Sequence, residues 1–186
     1  MGIHVLGIAG SLRAGSLNRA LIRTAVELAP AGMEIHAYEG LGDIPPFNSD
    51  VEAQGDPAPV AAFKVAIREA DALLIATPEY NYGIPGVLKN AIDWASRPPG
   101  KCVLNRKPAA LMGASMGAHG TARAQLALRQ SFVFTETYTM LRPELYLGRA
   151  HEKVDDKGRL TDEPTRQQIR KLLDAFVEWI GRFGEH

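Results

Sequence analysis

The chain has 186 residues, with 21 basic and 21 acidic side chains, so its formal net charge is zero at neutral pH. That length suits one well-buried domain and is short for two. The charge balance removes any bulk electrostatic case for nucleic acid or an anionic membrane surface. Cys102 is the single cysteine, which excludes an intrachain disulfide and a cysteine metal cluster and favours a reducing cytoplasm.

No apolar run is long enough to span a bilayer, and Arg13 interrupts the N-terminal one. No basic residue precedes that run, so it reads as a first strand rather than a signal peptide. Leu6 stands where a myristoylation signal needs Ser or Thr.

The first strand is the run Ile3 to Ala9, apolar enough to be buried on both faces. Gly10-Ser11-Leu12-Arg13-Ala14-Gly15-Ser16-Leu17-Asn18-Arg19 follows, and then apolar residues at helical spacing from Ala20 to Leu28. This strand–loop–helix junction gathers Ser11, Ser16 and Asn18 as donors, Arg13 as a charged fork and the positive end of a helix dipole. Together they make an anion site suited to a phosphate. The loop is neither a P-loop nor a dinucleotide fingerprint: no Gly-Lys-Ser/Thr follows, and Gly7, Gly10 and Gly15 do not form G-x-G-x-x-G. Glu39 is the only echo of that fold's ribose-binding acid.

Glu34 to Tyr38 alternates as a short strand, and 39–56 is a polar Gly/Pro/Asp-rich connection expected to be a loop. A helix runs through Val60, Phe63, Ile67 and Ala70, opened by Pro57 and Pro59. Asp71–Thr77 is a buried strand, followed by the Pro-bounded segment 78–86 and a helix through Val87, Leu88, Ala91, Ile92 and Trp94. Lys107–Ala114 is a fourth strand, leading into 115–120 and a helix through Leu126, Leu128 and Phe132. Thr137–Met140 is a fifth strand, with Glu144–Leu147 as its continuation. The charged stretch 151–160 reads as mobile, and a last amphipathic helix carries Ile169, Leu172, Leu173, Phe176 and Ile180. Strands alternating with helices across short junctions predict an α/β, doubly wound, five-stranded parallel sheet with helices on both faces. It forms a single domain over residues 1–186.

In such a sheet ligands bind beyond the carboxyl ends of the strands, where strand order reverses. Three loops leave those ends: 10–18, 78–86 and 113–120. The second is stiffened by proline at both ends and carries Tyr80, Asn81 and Tyr82, a combination suited to gripping a planar ring. The third contains Gly113-Ala114-Ser115-Met116-Gly117, which matches the G-x-S-x-G nucleophile elbow of a serine hydrolase. That reading is weak, because of His119, His151 and His186 only the terminal His186 follows the candidate acids Asp155, Asp156, Asp162 and Asp174. Ser115 and its glycines fit better as close neighbours of a bound ring.

Gly10-Ser11-Leu12-Arg13 with Ser16 and Asn18, then Pro78-Glu79-Tyr80-Asn81, and later Leu141-Arg142-Pro143-Glu144, resemble the NADPH-dependent FMN reductase family of flavodoxin-like proteins. The likeness is to its chromate/quinone reductase branch and spans nearly the whole chain. The resemblance implies non-covalent FMN, with the phosphate on Ser11, Arg13, Ser16 and Asn18. It implies the isoalloxazine against Pro78, Glu79, Tyr80 and Asn81, with Ser115 and Gly117 closing the pocket. It further implies NADPH or NADH as donor, small-molecule acceptors (quinones, flavins, azo compounds or chromate), and a homodimer or homotetramer. Gly83 and Ile84 stand where the branch often has other small or apolar residues, which leaves acceptor preference open.

With FMN carrying the hydride chemistry, no catalytic side chain is required, and His119 reads as a loop or interface residue. The aromatic rim of Tyr80, Tyr82 and Trp94, with Ile92, suggests pairing through the helices after the second and third loops. The competing class is a flavodoxin-like electron carrier, against which the neutral charge counts, since such carriers are usually strongly acidic.

Overall fold

The most apolar segments become the centre of the sheet. In the computed structural model, which describes residues 2–183, every residue of β3 (Ala72–Ala76) and β4 (Pro108–Ala114) is buried. β1 (Ile3–Ala9) pairs with β3 on one side and β2 (Met33–Tyr38) on the other, and all pairings are parallel. The order β2-β1-β3-β4-β5 is the flavodoxin-like one, reversing direction between β1 and β3.

The fifth position is split. β5 (Tyr138–Thr139) pairs with the start of β4 and β6 (Leu145–Leu147) with its end. The continuation expected from sequence is present, but Pro143, which has no N–H for a ladder, falls in the interruption.

The crossover connections sort the helices onto two faces. α1 (Leu17–Glu27) and α6 (Glu163–Gly181) pack on one, through Leu21, Ile22, Ala25, Leu172 and Phe176. α3 (Ala58–Glu69), α4 (Gly86–Ala95) and α5 (Ala122–Phe134) cover the other, through Phe63, Ile67, Leu88, Trp94, Leu128 and Phe132. Leu126 of α5, counted above among the apolar positions of that helix, points outward and is exposed.

Three expectations are corrected. The connection 39–56 is not a plain loop: it forms a 3₁₀ turn over Gly40–Asp43 and a short helix, α2 (Ser49–Glu52), whose N-cap Asn48 accepts from the Asp50 N–H. Asn90 and Trp94, one turn apart on α4, clamp this connection: the Trp94 indole and the Asn90 amide both donate to the Pro45 carbonyl (2.8 and 2.9 Å), and Asn90 accepts from the Phe47 N–H (2.7 Å). Trp94 and Ile92 are therefore buried and form no rim or interface.

The charged stretch 151–160 is built rather than loose. A 3₁₀ turn over Ala150–Lys153 leads to a bridge between Val154 and Leu160, and the Asp155 carboxylate accepts from the N–H groups of Lys157 and Arg159 and from the Arg159 guanidinium. The Arg159 bonds, with that from Lys157, hold the Asp155 carboxyl below the usual carboxylate range.

On α3, Lys64 is fully buried, its ammonium 2.6 Å from Asp56 Oδ1 and 5.9 Å from the Trp94 ring centre. A buried charge is tolerated only when paired in this way.

Candidate functional site

The crevice at the strand reversal is assembled from all three loops. The first leaves β1 with the Gly10 N–H still donating to the Ala76 carbonyl of the β3 side (2.8 Å). A side chain at Gly10 would meet Leu88 at 3.0 Å and Pro78 at 3.2 Å, so glycine lets the loop turn tightly there. Ser16 closes the turn, its N–H donating to the Arg13 carbonyl, and caps α1 by accepting from the Arg19 N–H at 3.2 Å.

The first-turn N–H groups of Leu17 and Asn18 have no intrahelical acceptor. The Ser11 hydroxyl and the Arg13 guanidinium have no hydrogen-bond partner among the described residues. Ser11, Arg13, Leu17 and Asn18 line one cavity at the helix N-terminus, an arrangement with the chemistry of an anion cradle.

Asn18 also makes a structural contact that its neighbours in sequence do not foretell. Its buried amide donates to the Ala114 carbonyl (3.0 Å) and accepts from the Ala114 N–H (2.9 Å), imitating a strand neighbour for the end of β4. One N–H of that amide is left to face a ligand.

The second loop is a tight hairpin. Tyr80 and Gly83 exchange backbone bonds of 2.9 and 3.2 Å, and Asn81 and Tyr82 both have positive φ, +50° and +64°. That is the I′ arrangement, comfortable for asparagine and strained for tyrosine. The Tyr82 ring, 71% exposed, lies against the Arg123 guanidinium, 4.0 Å from the ring centre.

Arg123 also pairs with Glu79, whose carboxylate accepts from the N–H groups of Arg123 (3.0 Å) and Ala124 (3.1 Å). Glu79 thus caps α5 across the loops, where the helix's own Thr121 makes no side-chain cap. Both carboxylate oxygens are engaged, which leaves its backbone as the part available to a ligand.

The third loop is pinned at both ends. Ser115 donates its N–H to Leu147 O (2.9 Å), and Arg149 donates its own to Gly117 O (3.0 Å). Gly113 has no room for a Cβ, which would overlap Thr121 Oγ1 and the Thr77 carbonyl. Beyond the loop, the Tyr146 phenol donates to Glu144 (2.7 Å), and burial together with that carboxylate pushes its pKa up to about 12.

The loops enclose a cavity of about 430 Å³. It is lined by Ser11, Arg13, Ser16 and Asn18 from the first loop, Pro78, Glu79 and Tyr80 from the second, and Ser115 with Met116 from the third. Asn81 and Gly117 do not line it: Asn81 sits at the hairpin tip, and the Gly117 N–H donates to Ser115 Oγ at 3.1 Å. Another cavity, about 460 Å³, lies between Arg97, Cys102 and Phe134, near the C-terminal ends of α4 and α5 and away from the strand reversal. The sheet's binding geometry favours the first.

The nucleophile elbow is absent. Its serine must sit on a sharp strand-to-helix turn, whereas the segment 115–121 separates β4 from α5. No histidine is hydrogen-bonded to Ser115 among the described residues, and His186 lies outside them. Glu39 lies on the surface, 3.4 Å from Arg19.

Residues 3–152 match the family model described as NADPH-dependent FMN reductase. The chain is 50% identical over 180 residues to an NAD(P)H-dependent FMN reductase of Pseudomonas aeruginosa, covering 97% of this chain and 96% of that one. It is 44% identical over 182 residues to a quinone reductase of Escherichia coli, with 97% and 96% coverage. Among solved structures, FerB, a flavoenzyme NAD(P)H:(acceptor) oxidoreductase from Paracoccus denitrificans, superposes with a TM-score of 0.88 at 40% identity, covering 98% of this chain and 100% of that one.

The Asn18 amide satisfies two buried backbone groups, and each such group left unmet costs roughly 1–3 kcal/mol. Asn18→Ala is expected to lower unfolding stability by about 2–4 kcal/mol in a denaturant titration. A loss below about 0.5 kcal/mol would mean that water takes over both bonds.

Proposed function

Because the chain belongs to the NADPH-dependent FMN reductase family, we propose that it is an FMN-dependent oxidoreductase passing electrons from NADPH or NADH to quinones and related small acceptors. The observation that carries this reading is the 430 Å³ cavity, lined by the donors of the first loop together with the hairpin residues Pro78, Glu79 and Tyr80 and with Ser115. An elongated ligand with a phosphate tail and a flat head fits that arrangement.

In this reading Arg13 and the Ser11 hydroxyl hold the phosphate with the Leu17 and Asn18 N–H groups. The Ser16 hydroxyl, while accepting from Arg19, donates its own hydrogen, and Asn18 adds its remaining amide N–H. Pro78, Tyr80 and the backbones of Glu79 and Asn81 border the ring on one side. Ser115 and the Gly117 backbone limit it on the other. When bound, FMN supplies the hydride acceptor and donor. The protein's residues bind, orient and shield it, and none is needed as an acid or base.

The whole chain, 1–186, serves as one binding domain. The free Cys102 supports a cytoplasmic location, and no described helix is long and apolar enough to cross a membrane. Quinones are the acceptor class supported best; flavins, azo compounds and chromate are further acceptors of the proposal.

The homo-oligomer of the proposal uses α5 rather than α4. Leu126, Val133 and Phe134 lie at i, i+7 and i+8 on its outer face, and the last two are 78% and 87% exposed. A stripe of that kind marks an interaction surface.

A charge-assisted bond contributes roughly 1.5–3 kcal/mol. Arg13→Ala is therefore expected to weaken FMN binding about tenfold to a hundredfold when apo-protein is titrated with FMN. Unchanged affinity would remove Arg13 from the phosphate site.

Donor and acceptor share one open face, so steady-state rates with NADPH and a benzoquinone should give parallel double-reciprocal lines. Ser115→Ala should keep measurable turnover. Intersecting lines would mean that both substrates bind together, and complete loss of activity with FMN retained would give Ser115 a chemical role.

For assembly, sedimentation at micromolar concentration should show at least a dimer, and Val133→Glu with Phe134→Glu should shift it to monomer. A monomeric parent chain would end the proposal.

A further inference from the structure

At the end of the sheet opposite the crevice, three side chains gather that the proposed function does not use. His4 of β1 and Glu34 and His36 of β2 lie on one face of neighbouring parallel strands, because His4 is paired in register with Glu34 and His36 follows two residues on. Glu34 Oε2 is 3.6 Å from His4 Nδ1, and Glu34 Oε1 is 3.2 Å from His36 Nε2. The imidazole planes are 16° apart, and one ligand atom from each residue lies within 4.8 Å of the others.

A tetrahedral ion with bonds of about 2.0–2.1 Å sets its ligand atoms roughly 3.3 Å apart. One Glu34 oxygen and one nitrogen from each imidazole lie within 4.8 Å of one another, so side-chain rotations of these exposed residues bring the three to that spacing. Two imidazoles and a carboxylate are a donor set for a borderline divalent transition ion, with water completing the shell.

The surroundings also favour a cation. His4 and His36 line a cavity of about 310 Å³ with Ala66, Glu69 and Ala70 of the α3 end, so the acidic Glu69 borders the same space. The neighbouring Lys107 ammonium is turned to the carbonyls of Ala70 (2.6 Å) and Arg68 (3.5 Å). The Asp71 carboxylate accepts from the His4 backbone N–H, which holds β1 in place beside the cluster.

We propose that His4, Glu34 and His36 form a surface site for one divalent transition-metal ion, with Zn²⁺ as its best match. Bound there, the ion would clip edge strand β2 to β1, at the far end of the strand that presents the anion cradle.

The test uses the tag-free holoprotein, treated with chelator, exchanged into fresh buffer and titrated with Zn²⁺ by calorimetry. Saturation at one ion per chain is expected, with a Zn²⁺-dependent rise in melting temperature. His36→Gln and Glu34→Gln are expected to weaken binding roughly tenfold or more and to abolish the thermal shift. His151→Gln, at an exposed histidine elsewhere, is expected to change neither. No binding, binding indifferent to His36→Gln and Glu34→Gln, or binding lost in His151→Gln would overturn the assignment.

Discussion

The crevice depends on one amide. β1 and β4 are separated by β3, and the loops that leave them must still face each other across a cavity. The Asn18 side chain spans that gap, 96 residues along the chain, with a donor and an acceptor on the two backbone groups of Ala114. β6 pairs with the other edge of β4 at that point, so the amide completes the strand on its open side. Because the same residue lies in the first turn of α1, the direction of the helix N-terminus is fixed relative to the end of β4. The anion cradle and the Ser115 wall therefore form one rigid frame.

The second loop is joined to that frame differently. Tyr82 holds a backbone conformation that a non-glycine residue rarely adopts, at a cost of order 1–3 kcal/mol. The Arg123 guanidinium over its ring offsets part of this, and Glu79 ties the same arginine and the α5 N-terminus to the loop. Loop, helix and ring plane consequently move together or not at all. The rigidity expected from the two flanking prolines has a further source in this charge-linked cluster.

What could be read from sequence was whatever depends on neighbours along the chain. β3 and β4 are continuous apolar runs, β1 is one but for His4, and the polar donors of the junction 10–18 stand within a few residues of one another. What could not be read depends on distant partners. Nothing near Glu79 says that its carboxylate caps a helix 44 residues later. Trp94 looked like a rim aromatic because pattern alone does not separate a ring facing solvent from one whose N–H reaches a carbonyl 49 residues back. Asp155 was counted as a mobile charge, yet it organises its own turn. The G-x-S-x-G match failed on spacing: strand and helix do flank it, but the loop between them is too long for an elbow.

Lys64 carries a consequence of another kind. Its ammonium is sealed between Asp56 and the Trp94 ring, while lysines such as Lys89 stand in solvent. Amine-reactive reagents will modify Lys89 at the speed of ordinary surface chemistry. Lys64 can react only in the moments when the α3 layer parts from the 53–56 turn. Its acylation rate is a clock built into the chain, timing the opening of one face of the sheet without any label introduced by mutation.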